Sequence, residues 1–216
     1  MKKRIRFGIP LAVIVGAALV VAGVATATSS RSHSASVLPT SSCAKLQYGG
    51  SGSPQFIIAS DLPLQGSSRT QTVEMTKAIA YTFKQAGYKA GKYTVGYQSC
   101  DDSTAQAGKW DPAKCAANAG NYVRDKSVIG VIGTFNSGCA EIEIPIANRA
   151  SLGYASPANT YDGLTQVQPG VTAAGEPGKY YPTGKRNYVR VVAADINQGK
   201  LALCCSSRGR SRRSTS

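Results

Sequence analysis

The chain has 216 residues, 25 of them basic and 11 acidic, for a net charge of +14; that is enough for one ordinary α/β domain with appendages. Eight of the basic residues and none of the acidic ones sit at the two ends (Lys2, Lys3, Arg4, Arg6, Arg208, Arg210, Arg212, Arg213), leaving 17 basic against 11 acidic between them. That surplus reads as a solvated basic surface, and no RNP, zinc-finger or helix-turn-helix signature points to nucleic acid. A single histidine, His33, and the lack of any C-x-x-C spacing argue against a zinc site and against the usual base of a Ser or Cys triad. No catalytic residue, metal or cofactor is assigned.

The N-terminal basic residues precede an uncharged apolar segment from Phe7 to Ala27. Ala25-Thr26-Ala27 fits the small-x-small cleavage pattern of a secretory signal peptide. The segment is long enough for an uncleaved anchor to be the second reading; either places residues 28–216 outside the cytoplasm, secreted or at the cell surface or periplasm. Residues 28–54, rich in Ser, Thr and Gly, read as a flexible linker, so the folded domain is expected to begin near Gln55.

From there, apolar runs alternate with helical periodicity. Phe56–Ala59 reads as a buried strand, Asp61–Ser68 as a loop, and Thr70–Ala86 as a helix with Met75, Ile79, Phe83 and Ala86 on one face and Gly87 as its stop. Tyr93–Tyr97 is a second strand. Asp111-Pro112 opens a second helix with an N-cap and an N1 proline; Cys115, Ala116, Ala119, Tyr122 and Val123 form its inward face. Val128–Ile132 is a short β-branched run, Ser137 stands where a third helix begins, and Leu152–Ala155 is a further strand. The βαβαβαβ order predicts a Rossmann-like open parallel sheet, helices on both faces, strands in the order 2-1-3-4 over residues 55–165. The polar loops Thr134–Gly138 and Ser156–Tyr161 then share the carboxyl edge of the sheet, where ligands bind in such folds. Tyr188–Val192 adds a strand, and an incipient helix follows from Ala193.

Thr183-Gly184-Lys185 lacks the rest of a P-loop and precedes a strand, so it is not read as one. Trp110 reads as packing or a helix-start staple, and Asp101 and Asp102 as loop caps. Cys115 and Cys139 are the preferred disulfide, both in early turns of adjacent helices near one sheet edge. The pairing of Cys43, Cys100, Cys204 and Cys205 is left open. Residues 201–216 read as an aberrant Arg/Ser-rich tail, expected to mark a frame shift or an early end.

The stretches Asp61-Leu-Pro-Leu-Gln-Gly, Asp101-Asp102-Ser-Thr-Ala, Ile132-Gly-Thr-Phe-Asn-Ser-Gly-Cys, Ser156-Pro-Ala-Asn-Thr and Asn187-Tyr-Val-Arg-Val-Val-Ala-Ala-Asp together resemble type I periplasmic binding proteins. The group they most resemble is the branched-chain amino-acid (Leu/Ile/Val-type) substrate-binding proteins of ABC transporters. The resemblance covers about Phe56 to Ala202 and implies the first of two Rossmann-like lobes, residues 55–200, with the second lobe absent. It implies that Ser137 binds a ligand α-carboxylate, that Thr160 supplies a hydroxyl and Ala158 a carbonyl, and that Leu64, Gln65, Gly66 and Ser67 border the cleft. The implied ligand is an amino acid or similar small zwitterion, and the implied partner is an ABC-transporter permease, with membrane attachment if the N-terminal segment is uncleaved. Half a clamshell is expected to bind weakly. The alternatives are a membrane-anchored sensing ectodomain and an inert truncated product.

Overall fold

A computed structural model describes residues 37–203; the expected signal or anchor and the Arg/Ser tail from Cys204 lie outside the described residues. Five apolar runs form five strands: β1 (Phe56–Leu62), β2 (Tyr93–Asp101), β3 (Val128–Gly133), β4 (Gly153–Ser156) and β5 (Tyr188–Arg190). They lie side by side as β2-β1-β3-β4-β5, with every neighbouring pair parallel. Lys89–Ala90 adds a short antiparallel strip outside β2. The expected order of four strands therefore holds and is extended by a fifth.

The helices are α1 (Arg69–Gln85), α2 (Pro112–Arg124) and α3 (Ser137–Arg149). Asp111 caps α2, its side chain accepting the Lys114 N–H at 3.0 Å, with Pro112 at the first helical position. After α1 the chain turns at Gly87, which has φ 60°, a conformation glycine adopts without strain.

Strand pleating and crossover handedness decide which face each helix covers. The row Ala59, Val131, Tyr154, Tyr188 runs across the sheet in register and is buried. It is the face of α2 and α3, whose crossovers all move in one direction and are right-handed. The β1-to-β2 crossover moves the other way and puts α1 on the opposite face, where Phe83 stacks on Tyr97 at 5.4 Å between ring centroids. On that second face an open groove of about 500 Å³ runs over Ile58, Gly130, Ile132, Gly153, Ala155 and Val189. With little packed over it, α1 itself is shallow: Thr72 is its one buried residue, Met75, Ile79 and Phe83 are half-buried, and Ala86 is exposed. On α2, Ala116 is exposed as well, and Asn118 takes the inward position.

The segment expected to be a flexible linker behaves otherwise in its described part. Leu38 is buried, with its N–H donated to Gln98 Oε1 at 3.0 Å. Cys43 is bonded to Cys100, and Gln47 bridges Tyr97. The segment lies along β2 and shares the core with Ile57 and Tyr122. Low hydrophobicity was a poor guide here because one covalent bond and a few long-range backbone bonds order the segment.

Candidate functional site

Because the five strands are parallel, their carboxyl ends meet at one edge and the loops that follow them form a rim. Each loop on this rim is tied to the next. The loop after β1 is held by Asp101: its carboxylate accepts the Leu64 N–H at 2.9 Å and Gln65 Nε2 at 2.8 Å. Burial disfavours the Asp101 charge, but hydrogen bonds from Ser103, Leu64 and Gln65 outweigh it and hold the carboxyl below its ordinary value. Lys114 pairs with the same carboxylate at 3.3 Å. Gly66 has φ 73°, and a Cβ there would lie 1.8 Å from the Gly108 carbonyl oxygen, so only glycine fits. Gly108 belongs to a small hairpin in which Ser103–Thr104 pairs with Lys109–Trp110.

The hairpin carries Trp110 to the start of α3. A Cβ on Gly138 would lie 2.5 Å from Trp110 Cζ2, so the indole rests on the backbone of the first turn. One residue earlier, Ser137 Oγ accepts the Tyr161 N–H at 3.3 Å. Ser137 is thus the first residue of α3 rather than its cap; Asn136 occupies the cap position and its side chain makes no capping bond. The loops after β3 and β4 are stitched further. Ser156 Oγ donates to the Thr134 carbonyl at 2.8 Å, Asn159 Nδ2 donates to the Phe135 carbonyl at 3.0 Å, and Tyr188 donates to Asn159 Oδ1 at 3.0 Å. Arg190 donates to the carbonyls of Asn159 and Tyr161. The Thr160 carbonyl accepts the Asp195 N–H at 2.9 Å.

Glu176 fastens this loop from below. It accepts the hydroxyls of Tyr161 and Tyr180, each at 2.6 Å, and the Ala173 N–H at 2.8 Å, and it pairs with Lys179 at 2.7 Å. Burial works against its charge, but these four donors hold the carboxyl down at about 2.

A different group of acids lies under the sheet edge. Asp61, Asp102 and Glu143 are wholly buried. Asp61 Oδ1 accepts from Asn118 at 3.0 Å, but neither oxygen of Asp102 has a hydrogen-bond partner. Burial raises all three carboxyls; repulsion from neighbouring acids adds to it at Glu143 and at Asp102, which rises to about 9, while hydrogen bonds from Glu143 and Asn118 partly offset it at Asp61. Glu143 Oε1 sits 3.3 Å from Cys139 Sγ. That sulfur is joined to Cys115, with 5.7 Å between the Cα atoms, and has no proton to give. Asp102 and the two sulfurs lie within 4.8 Å of one another. Metal binding by sulfur requires thiolate, and both sulfurs are committed to each other, so this is not read as a metal centre.

No protein-family model matches the chain, and no curated protein sequence matches it. Solved structures do. A leucine-binding protein from Thermotoga maritima superposes with a TM-score of 0.52 at 19% identity over 67% of this chain and 34% of its own. A substrate-binding protein of an ABC transporter from Desulfitobacterium hafniense, complexed with Leu, does so at 0.50 and 20% over 71% and 39%. A solute-binding protein of an ABC transporter from Rhodopseudomonas palustris, complexed with 3,4-dihydroxybenzoic acid, does so at 0.50 and 16% over 64% and 32%. This is the fold of one lobe of a type I periplasmic binding protein. The chain spans about a third of the length of these structures.

On the rim, Thr160 and Ala158 fall on the loop after β4 beside Ser137 at the start of α3, and Leu64–Ser67 on another loop across the hairpin. Ala158 is half-buried and gives its N–H to Ser156 Oγ at 3.1 Å. The large apolar groove is elsewhere, on the sheet face, and gathers few polar groups. Three rim residues were given no site role from the sequence. Tyr161 and Asn159 act through contacts 15 or more residues away, and Trp110 read as packing because its partner, a glycine backbone, leaves no pattern.

Proposed function

We propose that this chain is the ligand-receiving lobe of an extracytoplasmic solute-binding protein serving an ABC importer, a binder rather than an enzyme. Its ligand is an amino acid or similar small zwitterion, held by its carboxylate. The bond from the Tyr161 N–H to Ser137 Oγ carries this reading. It sets Ser137 and Thr160 side by side at the start of α3, where backbone N–H groups lack helical partners and the helix dipole favours an anion. Thr160 offers a hydroxyl and Ala158 a carbonyl for the ammonium. Two of the solved structures of like fold were captured with leucine and with an aromatic acid, ligands that share a carboxylate. The disulfides Cys43–Cys100 and Cys115–Cys139 suit an oxidising compartment outside the cytoplasm. A permease, and the membrane if residues 1–27 stay attached, are the partners in this proposal.

A zwitterion on an open rim keeps much of its water, so its hydrogen bonds yield little net gain and millimolar affinity is expected. Titrating L-leucine into the chain while following backbone amide resonances tests the site. Shifts should centre on Ser137, Gly138 and Tyr161. Ser137→Ala and Thr160→Ala should each weaken binding by about 0.5–1.5 kcal/mol, the net worth of a hydrogen bond that replaces one to water. Shifts confined to other surfaces would overturn the assignment.

A further inference from the structure

We infer that Trp110 is a ligand-contacting residue, forming the apolar wall of the rim site and favouring carboxylates with a flat apolar body, aromatic monocarboxylates above all. The inference rests on the reading that Ser137 and the start of α3 receive a carboxylate. Three observations carry it. The indole edge lies on the backbone of Gly138, the residue after Ser137, at a distance that would leave no room for a side chain there. Trp110 is half-buried, so part of it remains exposed to solvent. Its backbone is fixed, because the hairpin of Ser103–Thr104 with Lys109–Trp110 is closed by the Gly108 N–H to Thr104 O bond at 3.0 Å. The hairpin is anchored at both ends as well, by the Asp111 N–H on Asp102 O at 2.8 Å and the Ser67 N–H on Gly108 O at 3.1 Å.

A carboxylate on the first turn of α3 therefore places the rest of its molecule beside a pre-positioned indole. Aromatic rings attract each other in offset or edge-on pairs at centroid separations of roughly 4.5–7 Å. Three charged side chains of the rim are already engaged: Lys114 with Asp101 and the Ser103 carbonyl, Arg190 with two loop carbonyls, Asp101 with the loop after β1. Selectivity at this wall thus comes from shape and apolar contact, while donors at α3 hold the carboxylate.

Trp110 is the only tryptophan of the 216 residues, so its fluorescence and its indole N–H resonance report on this spot alone. Benzoate and L-leucine are the probes, titrated into the whole chain. Benzoate should shift the indole N–H and change the emission. Trp110→Ala should weaken benzoate about fivefold to tenfold, the order expected for losing one aromatic pair, and leucine less than twofold. Trp110→Phe should keep most of the benzoate affinity, with amide spectra confirming that the fold is retained. If Ser137→Ala weakens benzoate while Trp110→Ala leaves the benzoate-to-leucine ratio unchanged, the indole wall is wrong and the carboxylate site stands. If benzoate moves neither the indole nor the Ser137 and Tyr161 amides, both readings fall.

Discussion

Beneath its rim loops the chain buries carboxylates in two different ways. Glu176 meets two tyrosine hydroxyls, a backbone N–H and a lysine, and stays ionised down to about pH 2. Asp102 is wholly buried with both oxygens unpartnered, among Asp61 and Glu143, and gives up its charge. Burial alone therefore does not decide ionisation here; the number of donors facing the carboxylate does. The loop that carries Thr160 and Tyr161 is held by charge-assisted bonds, whereas the ground beneath it is braced by the Cys115–Cys139 bond and kept neutral.

The harshest way to break this contrast is to remove the covalent brace. Cys115→Ala with Cys139→Ala opens a link across 24 residues, and on the chain-entropy account should cost about 3 kcal/mol in urea unfolding. A loss under 1 kcal/mol would mean that packing alone holds α2 to α3. Next comes Glu176→Ala, which strands two hydroxyls and an N–H and should cost about 2 kcal/mol. Its more telling result would be in amide spectra, with the Tyr161 and Ser137 resonances moving while those of β1 and β2 stay in place.

The sharpest test of the comparison is the dependence on pH. Glu176 has its carboxyl lowered on folding, so its contribution is present above its unfolded value near 4.5 and is lost as pH falls toward 2. Asp102 has its carboxyl raised, so its contribution is present below its unfolded value near 3.8 and is lost as pH rises toward 9. Thermal midpoints should accordingly peak near pH 4, between those unfolded values, and decline on both sides. Asp102→Asn should flatten the alkaline decline and change stability at pH 4.5 by no more than about 1 kcal/mol, since the site needs a neutral polar group. An unchanged alkaline limb would show that Asp102 is not the group responsible.

Local pattern alone determined the alternation of strands and helices, the parallel sheet and the loops that share its carboxyl edge, because short β-branched runs and caps such as Asp111-Pro112 act within a few residues of themselves. Tertiary structure decided what each rim residue does. Ser137 looks like a helix cap in sequence, yet its hydroxyl is claimed by Tyr161, 24 residues on. Asp101 and Asp102 are neighbours in the chain, but the end of β2 turns one toward the loop donors and the other into the apolar layer under the helices. The Ser- and Gly-rich stretch before Gln55 reads as slack, and becomes part of the core because Cys43 meets Cys100 across 57 residues and Leu38, Ala44 and Gln47 bond to β2. These outcomes depend on which groups meet at long range, and composition within a window carries no record of such meetings.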